Sequence, residues 1–213
     1  MLKLLRKNAV DYIRAHIVAY FFMILIFVIG IVIGAMAVKT LPDEQKSELI
    51  GYLGVFFQGL AERQDGINDI HSILASVMFN NIKIIGIMWL LGFTIVGIPF
   101  VLFMVCLRGF IIGFTVGFLV NEYIMKGLLF ALVSVLPHNF LAVPAILATG
   151  VAATTFSLML VRRKNKSKDN LFYNSIAYSV FCLAMLVVML GAAFIEVYIS
   201  PVFMKTVAQI IVK

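Results

Sequence analysis

The side chains best able to do chemistry are few and scattered. The 213 residues hold three histidines, His16, His71 and His138, and two cysteines, Cys106 and Cys182. The histidines fall in three different segments, and no second His or Cys stands at metal-ligand spacing from any of them. Hydrolysis would need a nucleophile with its base, a zinc motif or a phosphate-binding loop. The chain has no G-x-S-x-G, no H-E-x-x-H and no G-x-x-x-x-G-K-[ST]. No pair of acids lies inside an apolar stretch. The chain therefore reads as non-catalytic, with no cofactor and no metal site expected.

The elements that would carry such residues are of one kind. Hydrophobic residues make up 63% of the chain and charged ones 13%, against about 45–50% and about 25% in soluble domains. Both departures exclude a soluble globular domain and a disordered chain. The expected fold is all-α, a polytopic membrane bundle of about five helices forming a single membrane domain. Its solvent and first partner is the lipid bilayer.

Ile17–Val38 carries no charge and would extend roughly 33 Å, enough to cross a bilayer core. Ala35-Met36-Ala37 resembles a signal-peptidase site, but the length and the spans that follow predict an uncleaved anchor helix. Further spans are predicted at 84–107, 109–125, 140–161 and 175–195. Pro137, His138, Asn139 and Pro144 interrupt the apolar run 127–161. Segment 127–139 is left with three fates: re-entrant, interfacial, or an extension of a tilted third span. At Pro137–Asn139 the expectation is a turn near the outer surface. Gly97-Ile98-Pro99 predicts a kink within the second span, because proline removes a donor and clashes with the preceding turn.

Lysine and arginine set the orientation. Lys3, Arg6, Lys7, Arg14, Arg108, Arg162, Arg163, Lys164, Lys166 and Lys168 fall on one side of a five-span layout, in short runs against the spans. This places the N-terminus in the cytoplasm and the C-terminus outside. The Arg162–Lys168 run is topogenic charge with secondary contact to anionic lipid. It sits in a short loop without interleaved aromatics, so nucleic acid is not an expected partner. Glu122 and Glu196 are both placed at outer ends of spans.

The outer loop, 39–83, is the one sizeable soluble segment. Pro42-Asp43-Glu44 marks a helix start, with Leu49, Leu53, Phe56, Phe57 and Leu60 on one face. Asn68 can cap a second amphipathic helix bearing Ile70, Leu74, Val77 and Met78. The polar faces are acidic: Asp43, Glu44, Glu48, Glu62, Asp65 and Asp69. This pattern suits either a lid packed on the bundle or a docking surface for an extracytoplasmic protein. It does not suit anionic lipid, which draws Lys and Arg.

Gly109, Gly113 and Gly117 recur every four residues, and Gly30 and Gly34 repeat the spacing in the first span. Such faces let helix backbones approach closely. Contact within one chain, or between two copies in a homodimer, is left open by the spacing.

Asn80 opens the run NNIKIIGIMWLLGFTIVGIPFVLFMVCLRGFIIGFTVGFLV, and Gly127 opens GLLFALVSVLPHNFLAVPAIL. Asn-Asn before the second span, Gly-Ile-Pro within it, R-G-F-x-x-G-F-x-x-G-F and then Pro-x-Asn form one ordered set. In these motifs, in length and in five-span layout, the chain resembles the stage II sporulation protein M family of endospore-forming bacteria. The 80–147 part is the most specific; the first helix and outer loop match in layout alone. The broader membrane family more often has glycine and an acid after the Pro-His pair, where this chain has Asn139. The resemblance implies a multi-pass scaffold of the bacterial plasma membrane, at the sporulation septum and the engulfing mother-cell membrane. There it would anchor two cell-wall-degrading partners, stage II sporulation proteins P and D, for peptidoglycan remodelling. The rival class is a subunit of a transporter or channel, which would use the breaks at Pro99 and Pro137–Asn139.

The charge asymmetry is open to direct test. In intact cells, a cysteine placed at Lys213 should react with an impermeant maleimide while one at Lys166 is spared; the reverse pattern would invert the orientation.

Overall fold

The computed structural model describes residues 16–62, 67–161 and 168–202. Among them every regular element is helical: α1 (Ile17–Ala37), α2 (Asp43–Glu62), α3 (Ile67–Gly92), α4 (Gly97–Val161) and α5 (Lys168–Phe194). A 3-10 turn, Val38–Thr40, closes α1, and a π-helical turn, Ile195–Ile199, continues α5. Four stretches are long and apolar enough to cross a membrane: Ile17–Thr40, His71–Gly92, Gly97–Val161 and Leu171–Val202.

The 65 residues of α4 would reach about 97 Å if straight, which no bilayer accommodates. The chain breaks at Ile124, with φ 48° and ψ −120°. A positive φ is a genuine outlier for a β-branched residue. Here the chain folds back on itself. Gly127 lies against the Leu119 carbonyl, so closely that a Cβ there would overlap it. Leu119, Phe130 and Ala131 then form a small core just below the tip. So α4 is a hairpin of two limbs, 97–123 and 125–161, each at least roughly 40 Å long by helix rise. With α1, α3 and α5 they make five passes.

The boundaries differ from those read in the sequence. The stretch 84–107 is not one span. It is divided at residues 93–96, where the amides of Phe93 and Thr94 donate to Leu90 and Leu91 carbonyls at 3.2 and 3.0 Å. Gly97 follows, with no room for a side chain beside the Leu91 carbonyl. Pro99 therefore falls in the first turn of α4, where a missing amide leaves no intrahelical bond unmade, and it does not kink a span. The expected turn at Pro137–Asn139 is also absent. Residues 127–139 are helical and run into 140–161 without interruption, with Pro137 and Pro144 inside the helix. Membrane helices tolerate prolines where neighbouring groups compensate the lost bond. The second amphipathic helix of the outer loop is not separate either; it forms the first turns of α3.

The glycine faces meet each other. A Cβ at Gly109 or Gly113 would overlap the carbonyls of Phe27 and Ile31 on α1, and one at Gly117 would lie 3.0 Å from the Ala35 Cα. Reciprocally, Gly30 backs onto the Cys106 carbonyl and Gly34 onto that of Phe110. The contact is intramolecular, so the glycine faces are already occupied within one chain. The opposite face of α1 shows Val18, Phe21, Phe22, Val28 and Val32 to the surroundings, as a lipid-facing helix does.

Polar pins set the register of the other helices. Asn81 donates from Nδ2 to the Met189 carbonyl at 3.2 Å, and Trp89 from Nε1 to Ser179 Oγ at 3.0 Å. The Tyr178 hydroxyl donates to the Trp89 carbonyl at 3.0 Å, and Ser157 Oγ to the Thr94 carbonyl at 2.7 Å. Around them Phe93, Phe156 and Tyr178 pack ring on ring, the last two stacked at 4.6 Å. In an apolar solvent such bonds specify which helix faces which, since water does not compete for them.

The glycine seam has a measurable consequence. Gly113→Leu forces a side chain into the Ile31 backbone and should cost about 1–3 kcal/mol or more by overpacking. Gly191 on α5 has no atom near a would-be Cβ, so Gly191→Ala should be neutral or slightly stabilising. Thermal unfolding of the two purified variants checks the contrast, and equal effects would refute the seam.

Candidate functional site

Near the closed end of the hairpin, α2 reaches the bundle through Leu53. Its start is as its sequence predicts. Pro42 precedes Asp43 and Glu44, the Lys46 amide donates to the Pro42 carbonyl at 3.1 Å, and both acids sit in the first turn. Acids there complement the helix dipole. Leu53 turns inward and packs against the small core of Leu119, Phe130 and Ala131. The other side faces out. Asp43, Glu44 and Glu48 are exposed, as are Tyr52 and Val55, and the Tyr52 hydroxyl donates to Glu48 Oε1 at 3.3 Å. Glu62, Asp65 and Asp69 belong to the same predicted acidic surface, but Asp65 lies outside the described residues and the other two outside the described side chains.

The hairpin tip extends this surface. Asn121 donates from Nδ2 to Glu122 Oε1 at 2.8 Å, and Ile124, Met125 and Lys126 are exposed beside them. Acids and exposed apolar side chains thus alternate over the α2 end. Arg162, Arg163, Lys164 and Lys166, expected to be topogenic, lie outside the described residues, and Lys168 opens α5.

A second polar group lies in the interior, and the sequence analysis did not assemble it. Arg108 is not in a loop. It sits well inside the first limb of the hairpin, on the same face as Ile112 and Val116. Its charged neighbours are Glu196, in the π-helical turn, and His138, on the second limb. Arg108 and His138 stand sixteen and fourteen residues from the break at Ile124, hence at nearly equal depth. Next to His138, Asn139 is buried, and its Nδ2 donates to the Val135 carbonyl at 2.8 Å and lies 3.0 Å from His138 Nε2. Arg108 Nε and Asn139 Oδ1 are buried with no hydrogen-bond partner, while the His138 ring lies against the Ser134 backbone.

One signal could have placed Arg108. Gly109 must be helical to meet Phe27 on α1, and the Gly109–Gly113–Gly117 ladder begins at the very next residue. A helix that starts its packing face at Gly109 does not end at Arg108. Beside this group an apolar cleft of about 610 Å³ opens between α1 and the two limbs, lined by Ile31, Ile112, Val116, Leu136, Pro137 and Asn139 among others.

Apolar helices crossing five times, a glycine seam and side-chain pins in place of a soluble core define a multi-pass α-helical membrane protein. The family model for stage II sporulation protein M matches residues 23–201, nearly the whole chain, and the protein belongs to that family. It is therefore a sporulation-related membrane protein. No curated protein and no solved structure matches the chain.

If Leu53 holds α2 to the hairpin, Leu53→Asp should release it. Trypsin cleavage at Lys46 should then quicken several-fold while the melting of the bundle stays within about 1 kcal/mol of wild type. Unchanged cleavage would mean that other contacts fix α2.

Proposed function

We propose that the protein is a non-catalytic scaffold of the engulfment complex, which anchors and positions cell-wall-degrading partners at the septal membrane. The proposed partners are stage II sporulation proteins P and D, as the resemblance implies. The observation that carries the reading is α2, an amphipathic helix at one end of the bundle with Asp43, Glu44 and Glu48 in solvent. A helix that turns only part of its apolar face to its own bundle leaves Tyr52 and Val55 for another surface. The bundle supplies a fixed position in the membrane, and wall chemistry belongs to the partners. The charge rule puts α2 on the extracytoplasmic side, where the wall lies.

A transporter or channel subunit is the second reading, and the interior group of Arg108, His138 and Glu196 is the observation that favours it, because ionisable side chains within a membrane often mark a conduction path. Solute flux in proteoliposomes, set against co-purification of wall hydrolases, separates the two.

Reversing charge on the α2 surface tests the scaffold. Exposed acids contribute little to stability, whereas like charge against a partner can cost several kcal/mol. The double variant Glu44→Lys/Glu48→Lys should reach normal membrane levels, recover at least several-fold less of the hydrolase partners, and stall engulfment. Full partner recovery with complete engulfment would remove α2 as the docking surface.

A further inference from the structure

The cleft between α1 and the two limbs of the hairpin has a floor and a lip. On the second limb, Ala131, Val135, Asn139 and Val143 line it at every fourth residue, so a single helix face runs along its length. Leu132, Leu136 and Phe140 line it one residue further round. The two rows differ in depth. Ala131 and Asn139 are buried and Val135 and Val143 half-buried, while Leu132, Leu136 and Phe140 are 43%, 55% and 80% exposed. The first row is the floor and the second the lip. Phe27 and Ile31 of α1, with Ile112 and Val116 of the first limb, form the other side. The cleft is thus a groove open along one edge. All its walls belong to membrane-spanning stretches, so that edge opens to lipid.

Its dimensions decide what can enter. From Ala131 to Val143 the groove runs about 18 Å by helix rise, close to the depth of one leaflet, half of a hydrocarbon core of about 30 Å. Its volume of about 610 Å³ over that length gives a mean section of about 34 Å². An α-helix, about 10 Å across with its side chains, covers roughly 80 Å² and is too wide. A hydrocarbon chain is one carbon wide, and carbons pack about 3.5–4.0 Å apart, so it fits. The chemistry agrees with the shape. Among the described residues, Asn139 is the one polar side chain of the wall. Its Nδ2 donates to the Val135 carbonyl at 2.8 Å, and its Oδ1 is buried. The walls therefore hold no water, and left empty they would lose the contacts that carbon on the other side supplies.

We propose that the groove is a lipid site, which binds one acyl chain of a phospholipid from the leaflet nearest the hairpin tip. The packing on either side shows why a gap remains for it. At the tip the limbs meet closely, with Gly127 against the Leu119 carbonyl. At the far end α1 meets the second limb again, where a Cβ on Gly150 would lie 3.1 Å from Met23 Cε. Between these two contacts α1 is held backbone to backbone on the first limb, and the second limb stands off from both. The chain fills that space and touches all three segments, so it braces α1 against the second limb. The headgroup end lies toward Ala131, the end nearer the tip and the membrane surface, and the chain end toward Val143. Grip on carbon alone selects a chain and ignores the headgroup. The site stands apart from the docking role of α2, so either can fail alone.

The test uses the full chain in mild detergent, with phosphatidylglycerol or phosphatidylcholine of identical acyl chains added and retention read by native mass spectrometry. The wild-type protein should keep one phospholipid, equally with either headgroup. Val135→Phe/Val143→Phe puts two rings into the groove and should lower retention about tenfold or more. The bundle should stay folded, because the rings fill a space instead of crowding a packed site. Leu183→Phe, in the smaller groove between α3 and α5, should leave retention unchanged. No phospholipid kept by the wild type, equal retention in the double variant, loss in Leu183→Phe instead, or retention of one headgroup only would each overturn the proposal. The number kept and the indifference to headgroup are read on the wild-type chain, so the result does not depend on the variants folding.

Discussion

The backbone of α1 lies directly on the backbone of the first hairpin limb, and the remaining helices are arranged around that contact. Lipid offers apolar side chains the same environment as a protein interior, so burial alone gives two membrane helices little reason to associate. Close approach does, through many small dispersion contacts at short range. The approach is possible because Gly30 and Gly34 face Cys106 and Phe110, while Gly109 and Gly113 face Phe27 and Ile31. Neither helix can rotate without driving a side chain into a carbonyl. Once the seam is set, Arg108 has a defined direction, because it precedes Gly109 by a single residue.

The hairpin follows from the same constraint. Its first limb must lie along α1, and the second must return to place Ala145, Ile146 and Val151 in the main core with Met23 and Met88. The reversal is compressed into Ile124, and Gly127 admits the Leu119 carbonyl close behind it. Strain at a single β-branched residue is tolerated when the packing on both sides over-determines the turn. The tip that results carries Glu122 and Lys126 into the same region as α2, so the fold builds one mixed surface from segments far apart in the chain.

The polar side chains of this family member gather on that surface and, in a smaller group, in the interior. The acids of α2 are exposed to solvent. The buried polar group draws its members from different segments of the chain.

Much of this was legible in one dimension. Composition and apolar run length are summed properties, and they decide that the chain is an all-helical, multi-pass membrane protein wherever its turns fall. The four-residue glycine spacing announces a close contact because side-chain size alone creates the groove, and the start of α2 at Pro42-Asp43-Glu44 is a local capping effect. The family resemblance rests on ordered motifs and needs no coordinates. Tertiary structure decided what depends on a neighbour. Whether a proline bends a helix depends on which groups compensate the lost bond, so Pro137 and Pro144 continue a helix while Ile124, with no local turn signal, ends one. Arg108 looked like a charge at the end of a span because an isolated charge in an apolar run is ordinarily a boundary. Only the arrangement of three segments brings Arg108, His138 and Glu196 within electrostatic reach of one another, since a charge feels neighbours that lie dozens of residues away in the chain.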